Sequence, residues 1–438
     1  MSSKKSKSDF RYSTGDAKVP WDAVGESYTA EDVSLFIKFL MQGEGSEYDS
    51  VTKEIAVQLE KLSDISRPPS KLSLGAMVEK LEAKCDEYLG AEGSLFMTNC
   101  TAGFEIAYKY ANLQAGDEVI IPAITFIATM AYPLSVGAKV VIADVDMKTL
   151  NIDPADVEKK ITSKTKMIVP VHIGGYPCDM DPIMELARKN DILVLEDAAH
   201  GFGASYKGKK IGAIADFTSF SFHEVKNNTS FGEGGLLTTN IEAFRPELKR
   251  ARFLGLDFRQ QIKNWLYDIT AIPGKYGPFA AQNCSATEIQ ALGLLTQIDR
   301  YDDIMKKRKE AAEYLTCRLS GNPAIVPQDL GNEDIVPVFH LYQLQVVPDE
   351  AGGDIQVLKE KLTQRSITNI PHFGPLYRFD IMRELGYDRD AIAASCPVCE
   401  EVFDRRFTHL PIYNLSKEQL DYLADSILES VAEMQAGK

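Results

Sequence analysis

Ser219-Phe-Ser-Phe-His-Glu-Val-Lys-Asn-Asn-Thr-Ser-Phe-Gly-Glu-Gly-Gly235 is the stretch that decides how this chain is read. It opens as a short strand, with Phe220 and Phe222 on one face and Ser219 and Ser221 on the other. The strand delivers one lysine, Lys226, into a polar, glycine-rich turn. A lysine just past the end of a buried strand is well placed to meet a ligand. Taken alone it reads as a solvated loop lysine, the ordinary fate of that residue type. Residues 232–235 supply the backbone freedom that turns the chain into its next strand.

Outward from this stretch, short unbroken apolar runs alternate with helical patterns. Runs at 94–97, 118–122, 140–143, 167–172, 192–195, 217–222 and 235–239 read as strands. Residues 104–113, 126–136 and 180–190 read as helices between them. This rhythm predicts a mostly parallel seven-stranded sheet with helices on both faces. Such sheets bind ligands at the carboxyl ends of their strands. Upstream, 28–43 carries a helix capped by Thr29, 44–74 a helical excursion ending in a Pro-rich loop, and 77–89 an amphipathic helix. Downstream, 244–254 reads as a helix, 255–283 as irregular, and 285–319 as one long helix or two joined. From Pro337 a strand (339–347) mixes with helices (355–363 and 417–434). The expected class is α/β: a flexible tail at 1–27, a large domain at 28–284, and a linking helix with a smaller α+β domain at 285–438.

The bulk numbers narrow the function. The 438 residues are 45% hydrophobic and 25% charged, enough for a large core. A net charge of -15 without a basic block argues against nucleic acid as a partner. No apolar run is long enough to span a bilayer, so no membrane partner is expected. The seven scattered cysteines fit a reducing, cytoplasmic setting. Cys396-Pro-Val-Cys399 has CxxC spacing, but no second ligand pair accompanies it. These two read as ordinary thiols near a helix start, and no metal is expected.

A second segment sharpens the reading of Lys226. The strand at 192–195 ends in Glu196-Asp197, followed by Ala198-Ala199-His200. Small residues after the acids let something flat lie close to the backbone, although Asp also commonly caps a following segment. A lysine amine forms Schiff bases with carbonyls. Pyridoxal phosphate (PLP) enzymes pair such a lysine with an acid that keeps the pyridine nitrogen protonated. A cofactor phosphate needs amides and hydroxyls at a helix N-terminus. Residues 98–103 supply them through Thr101, the amide of Ala102 and Asn99, with Ser221 nearby. Phe126 offers a ring to stack on the cofactor.

The ordered set Gly116-Asp-Glu-Val-Ile-Ile-Pro122 with Thr125-Phe126, Glu196-Asp-Ala-Ala-His200, Ser221-Phe-His-Glu-Val-Lys226 and Gly232-Glu-Gly-Gly235 resembles the DegT/DnrJ/EryC1/StrS family of sugar aminotransferases. The resemblance runs from about Tyr28 to the C-terminal helix. It implies the type I aminotransferase fold, PLP as cofactor, and a homodimer with the active site at the interface. It implies transfer of an amino group from glutamate or glutamine to a keto sugar, nucleotide-linked or a cyclitol. The route is a Lys226 internal aldimine and a pyridoxamine phosphate intermediate. Position by position, Lys226 becomes the Schiff-base lysine and Asp197 the partner of the pyridine nitrogen. Phe126 stacks on the ring, and Thr101, Ala102 and Ser221 hold the phosphate. His200 lies beside the ring's hydroxyl edge or the substrate. Asn283 comes from the partner subunit to the phosphate, and His372, in Pro371-His-Phe-Gly-Pro-Leu-Tyr377, lines the substrate site.

Three departures stand out. Asn99-Cys100-Thr101 replaces the family's frequent Ser-Gly-Thr, and Asn283-Cys284-Ser285 lacks its arginine. The 44–74 segment exceeds the usual link and is expected to reshape the substrate mouth. Sugar dehydratases of the same family carry histidine in place of the lysine, so Lys226 favours the transaminase. A nucleotide-binding dehydrogenase would want GxGxxG after the first strand, which 98–103 does not supply.

Overall fold

The computed structural model describes residues 27–67, 69, 71–257, 269–370 and 372–437. The tail expected at 1–27 lies, but for its last residue, outside the described residues, as do 258–268 of the irregular segment. Seven strands form one sheet: β1 (Ser94–Met97), β2 (Glu118–Pro122), β3 (Lys139–Ala143), β4 (Thr165–Ile168), β5 (Leu193–Asp197), β6 (Phe217–Ser221) and β7 (Gly235–Thr239). Their order is β1-β7-β6-β5-β4-β2-β3. Only β7 runs antiparallel to its neighbours, so the sheet is mostly parallel as expected.

Alternation along each strand feeds two cores. Leu95, Met97, Val119, Ile121, Leu193, Leu195 and Phe217 enter one. Phe96, Ile120, Val194, Phe220, Phe222 and Leu236 enter the other. Both faces are thus apolar, which is why these strands read as unbroken runs.

Eight helices matter here: α1 (Ala30–Leu40), α2 (Ser46–Ser63), α3 (Ala76–Leu89), α4 (Cys100–Tyr110), α5 (Ala128–Ser135), α6 (Met180–Asn190), α7 (Glu288–Ile298) and α8 (Tyr301–Leu319). Helix α1 starts at a capping box between Thr29 and Asp32, and α7 at one between Thr287 and Gln290. Helix α7 packs in the sheet's second core through Ala291, Leu294 and Ile298. The later part of α8 packs in a third core, with Leu344, Leu358 and Ile427. That core surrounds a three-stranded antiparallel sheet of Ile325–Val326, Tyr342–Val346 and Phe407–Leu410. Among the described residues no helix is long and apolar enough to cross a membrane.

Four expectations need correction. Helix α4 begins at Cys100, four residues before the expected 104, because Asn99 caps it. Strand β4 stops at Ile168 rather than 172, since Pro170 has no N–H to continue the ladder. The 244–254 helix is broken by Pro246 into a 3-10 turn, Glu242–Glu247, and a short helix, Leu248–Arg252. The strand expected at 339–347 starts only at Tyr342, since Phe339 has φ 45°.

Candidate active site

The carboxyl end of the sheet collects the groups singled out above. Asp197 closes β5 and is buried, facing the same core as Leu193 and Leu195. Glu196 points to the opposite face, where it accepts the Thr218 hydroxyl and lies 3.5 Å from His172 Nε2. Asp197 Oδ1 accepts the Ala199 N–H at 3.1 Å and Oδ2 the Thr129 hydroxyl at 2.9 Å. Burial pushes the Asp197 carboxyl up, opposed by these two hydrogen bonds and by the charge of Lys226. Lys226 follows the turn after β6 and is half-buried. Burial holds its amine below the usual lysine value, opposed by Cys100 and Asp197. The two residues therefore sense each other's charge. Among the described residues neither Asp197 nor the Lys226 amine forms an ion pair.

The predicted phosphate cradle lies beside them. Ser219 Oγ donates to the Cys100 carbonyl at 2.9 Å, tying β6 to the start of α4. Gly103 permits that approach, since a Cβ there would meet Ser219 Oγ at 2.3 Å. Met97, Gly235 and Ser221 stand level across β1, β7 and β6. Gly235 has no room for a side chain: a Cβ would lie 2.2 Å from the Asn99 carbonyl carbon. Its role is close approach to the turn before α4, which is more than the turning freedom read from the sequence. Thr101 is exposed at the helix start, and Ser221 is buried at the end of β6. The Ala102 amide, expected to be open, donates to Asn99 Oδ1 at 2.9 Å, because the cap satisfies an otherwise orphaned donor.

Histidines close the site on the side of the C-terminal sheet. The His200 ring stacks on His340, with centroids 4.2 Å apart and planes at 26°, and faces Phe373 at 5.9 Å. The His372 N–H donates to His409 Nδ1 at 2.9 Å. Burial, reinforced by the charge of Lys226, holds His200, His340 and His372 below the usual value. His409 is pushed down to about 3 by burial and His372. In all four, burial therefore favours the neutral ring. The exposed Phe126 ring lies 5.5 Å from Phe373, and its carbonyl accepts the same Thr129 hydroxyl that faces Asp197. Asn283 is exposed, and its Oδ1 accepts the Ser285 N–H at 3.1 Å. Among the described residues no hydrogen bond joins it to the rest of the set.

The sequence reading missed Thr129, Phe373, His340 and His409. Thr129 carried a local signal, since Thr125 and Thr129 sit four apart and their hydroxyls meet at 3.0 Å. The other three arrive from distant segments. The 44–74 segment forms α2, which packs on α1, and it is α1 that reaches the lysine loop: Phe36 meets Phe231 at 6.4 Å. Cys396 and Cys399 are buried at the start of a short helix, Pro397–Glu401, and all seven cysteines are free thiols. Among the described residues no group of three or more acids, cysteines and histidines is arranged to hold a metal ion. A cavity of about 640 Å³ opens away from these groups, between Leu134 and Lys139 on one side and Leu385 and Ser395 on the other.

PLP fits what is present. Among the described residues Asp197 is a buried acid lacking a cation, Lys226 an amine lacking an acceptor, and His200 Nδ1 a buried atom without a partner. A helix start hemmed in by Gly103 and Gly235 lies alongside. Comparison with known proteins agrees. The chain is 33% identical to a spore coat polysaccharide biosynthesis protein of Bacillus subtilis, over 82% of this chain and 91% of that one. It is 32% identical to a GDP-perosamine synthase of Caulobacter vibrioides, over 74% and 84%. A Streptococcus pneumoniae protein assigned as a sugar aminotransferase, solved in PMP and PLP forms, superposes with a TM-score of 0.73 in its PMP form. That match is 28% identical and covers 84% of this chain and 93% of the other. The sequence model of the DegT/DnrJ/EryC1/StrS aminotransferase family matches residues 55–428. The chain belongs to that family, and it is a PLP-dependent aminotransferase.

Proposed function

We propose that this enzyme moves an amino group from glutamate or glutamine to a keto sugar, with Lys226 as the residue that bonds the cofactor and shuttles the proton. The observation that carries the reading is the relation of half-buried Lys226 to buried Asp197: their charges influence each other, and among the described residues they form no ion pair. When bound, PLP supplies a carbonyl for the amine and a protonated ring that withdraws electrons from the reacting carbon. Asp197, oriented by Thr129 and Ala199, holds the proton at the ring nitrogen. Lys226 takes and returns a proton at Nζ, and its burial favours the neutral amine this requires. Thr101 and Ser221 receive the phosphate, joined by the Ala102 amide when Asn99 yields its cap. Phe126 would cover the ring, and His200 and His372, whose burial favours the neutral imidazole, would offer polar edges to the ring hydroxyl and a polyhydroxylated substrate.

The reading includes a second copy of the chain, which brings its Asn283 to the phosphate and closes the cleft. An exposed apolar face supports it, running from Phe36 and Phe39 on α1 across Phe231 to Ile289 and Leu292 on α7. The 32% identical relative is a GDP-perosamine synthase, which supports a nucleotide-linked keto sugar as the acceptor.

The test is spectroscopic. Purified protein with PLP should show a visible band that glutamate or glutamine bleaches, and the right keto sugar should restore it. Lys226→Ala should lose both band and turnover. A band that survives this change would sink the assignment of Lys226.

A further inference from the structure

We propose that His340 is a positioning residue for Lys226, acting through Asn227, the next residue along the chain. The inference rests on the reading of Lys226 given above. The turn after β6 is held firmly on its far side. The Thr229 N–H donates to Gln297 Oε1 at 3.1 Å, Ser230 Oγ to the Gln290 carbonyl at 2.6 Å, and Gln290 Nε2 to the Glu233 carbonyl at 2.8 Å. These bonds fix 229–233 on α7 but stop short of the lysine. Between them and Lys226 the side-chain anchor is Asn227, which is buried. Its Nδ2 donates to the Val338 carbonyl at 3.2 Å, and its Oδ1 stands 2.8 Å from His340 Nδ1. Because the amide nitrogen is committed to Val338, Oδ1 is the atom facing the imidazole. His340 Nδ1 therefore carries the hydrogen and donates it.

His340 is itself held rigidly. Its N–H donates to the Gly174 carbonyl at 2.8 Å, and the Val338 N–H to the Gly175 carbonyl at 3.0 Å. The buried guanidinium of Arg308 on α8 donates to the His340 carbonyl at 3.2 Å. A Cβ on Gly175 would meet Val338 Cγ2 at 2.7 Å and the His200 carbonyl at 2.9 Å, so this junction admits no slack. The His340 ring in turn lies against His200. One imidazole thus fixes the residue beside Lys226 by a hydrogen bond and His200 by stacking. A residue that only filled space at this junction would need the ring but not the Nδ1 hydrogen.

Two substitutions separate these roles. His340→Phe keeps a ring for His200 and removes the donor to Asn227. His340→Asn removes the ring and keeps a donor near the Nδ1 position. The first readout is amide hydrogen exchange of the 223–234 segment in the cofactor-free protein, and the second is steady-state kinetics of the loaded enzyme. His340→Phe should speed exchange in that segment by on the order of tenfold and lower kcat similarly, with KM within about threefold. His340→Asn should recover exchange to within about threefold of the unaltered protein, while its kinetics also register the lost ring against His200. Asn227→Ala should reproduce the His340→Phe result, and adding it to His340→Phe should cost nothing further. It also decides the matter if His340→Phe does not fold. Unchanged exchange in His340→Phe, or equally fast exchange in the Asn and Phe variants, would overturn the inference. Failure of the Lys226 reading shows separately, as unaltered protein with no visible band on adding PLP; no positioning role would then remain.

Discussion

Gly235→Ala tests the tightest contact in the site. An added Cβ would lie 2.2 Å from the Asn99 carbonyl carbon, 2.3 Å from its oxygen and 2.5 Å from the Cys100 nitrogen. Carbon–carbon contacts are comfortable only from about 3.5 Å, so something must move by about 1 Å. Strand β7 cannot yield, because Gly235 is paired on one side with Met97 and on the other with Ser221. The turn at Asn99 must therefore shift, and with it the cap that Asn99 provides to the Ala102 N–H. Overpacking costs about 1–3 kcal/mol and a lost cap about 1 kcal/mol, so the cofactor-free protein should lose about 2–4 kcal/mol. Donors displaced by about 1 Å should weaken PLP affinity by on the order of a hundredfold. Gly93→Ala, at the other end of β1, is the control: its Cβ would meet only the side chains of Arg245 and Leu248, at 3.1 and 3.3 Å, which can give way. Thermal melting and a PLP titration of both variants form the assay. Gly235→Ala that melts with Gly93→Ala and binds PLP within about threefold of the parent would refute the reasoning.

Asp197→Asn should stabilise the cofactor-free protein near pH 7, since the amide can still accept from Ala199 while Thr129 turns its hydrogen to the Phe126 carbonyl. Because burial raises this carboxyl, its stabilising contribution is complete below the ordinary carboxylate pKa and is lost as pH rises through the folded value. The advantage of the amide should therefore vanish by about pH 4, and PLP should raise the parent's Tm more than the variant's. An advantage independent of pH would contradict this. Burial pushes the Cys396 thiol up to about 11 and Cys399 up to about 12. Native protein treated with iodoacetamide at mildly alkaline pH should therefore be labelled at exposed Cys317 far faster than at either, as read by peptide mass spectrometry. Comparable labelling of Cys396 would show that the CxxC pair is accessible.

Much of the architecture was legible because its signals are local. Glu118–Pro122 and Gly235–Thr239 are buried on both faces, so each reads as an unbroken run with polar punctuation at its ends. Met180–Asn190 carries its own helical period and ends at Asp191 in a left-handed conformation, and its bounds match. The start of α4 was missed because Asn99-Cys-Thr-Ala has the composition of a loop, and only the Asn99 cap turns it into a helix. For the site, the lysine, the acid and the serines lie on or beside strand ends that sequence can place. Thr129, His340 and Phe373 belong to the same cleft through contacts spanning many residues, and no period or spacing announces them. The glycine contacts were half legible: a Gly-rich turn was visible, but the Asn99 backbone it must clear was not.

The absence of a Lys226–Asp197 ion pair among the described residues is itself informative. Two opposite charges taken out of water ordinarily recover part of the cost by pairing with each other. Had they paired here, the lysine would be held as an ammonium that cannot accept a proton. The aspartate would be committed to a protein cation rather than a ring nitrogen. Instead Asp197 is held by the Thr129 hydroxyl and the Ala199 N–H, and Lys226 is fixed through the backbone on either side of it. Burial then acts on both in directions useful to the chemistry. It favours the neutral amine of Lys226, and it leaves Asp197 in need of a positive partner. A helix start offering donors to an anion lies at the third corner, across Gly235. A ligand with an electrophilic carbonyl, a basic ring nitrogen and a phosphate would address all three corners at once, the buried Asp197 through the ring nitrogen.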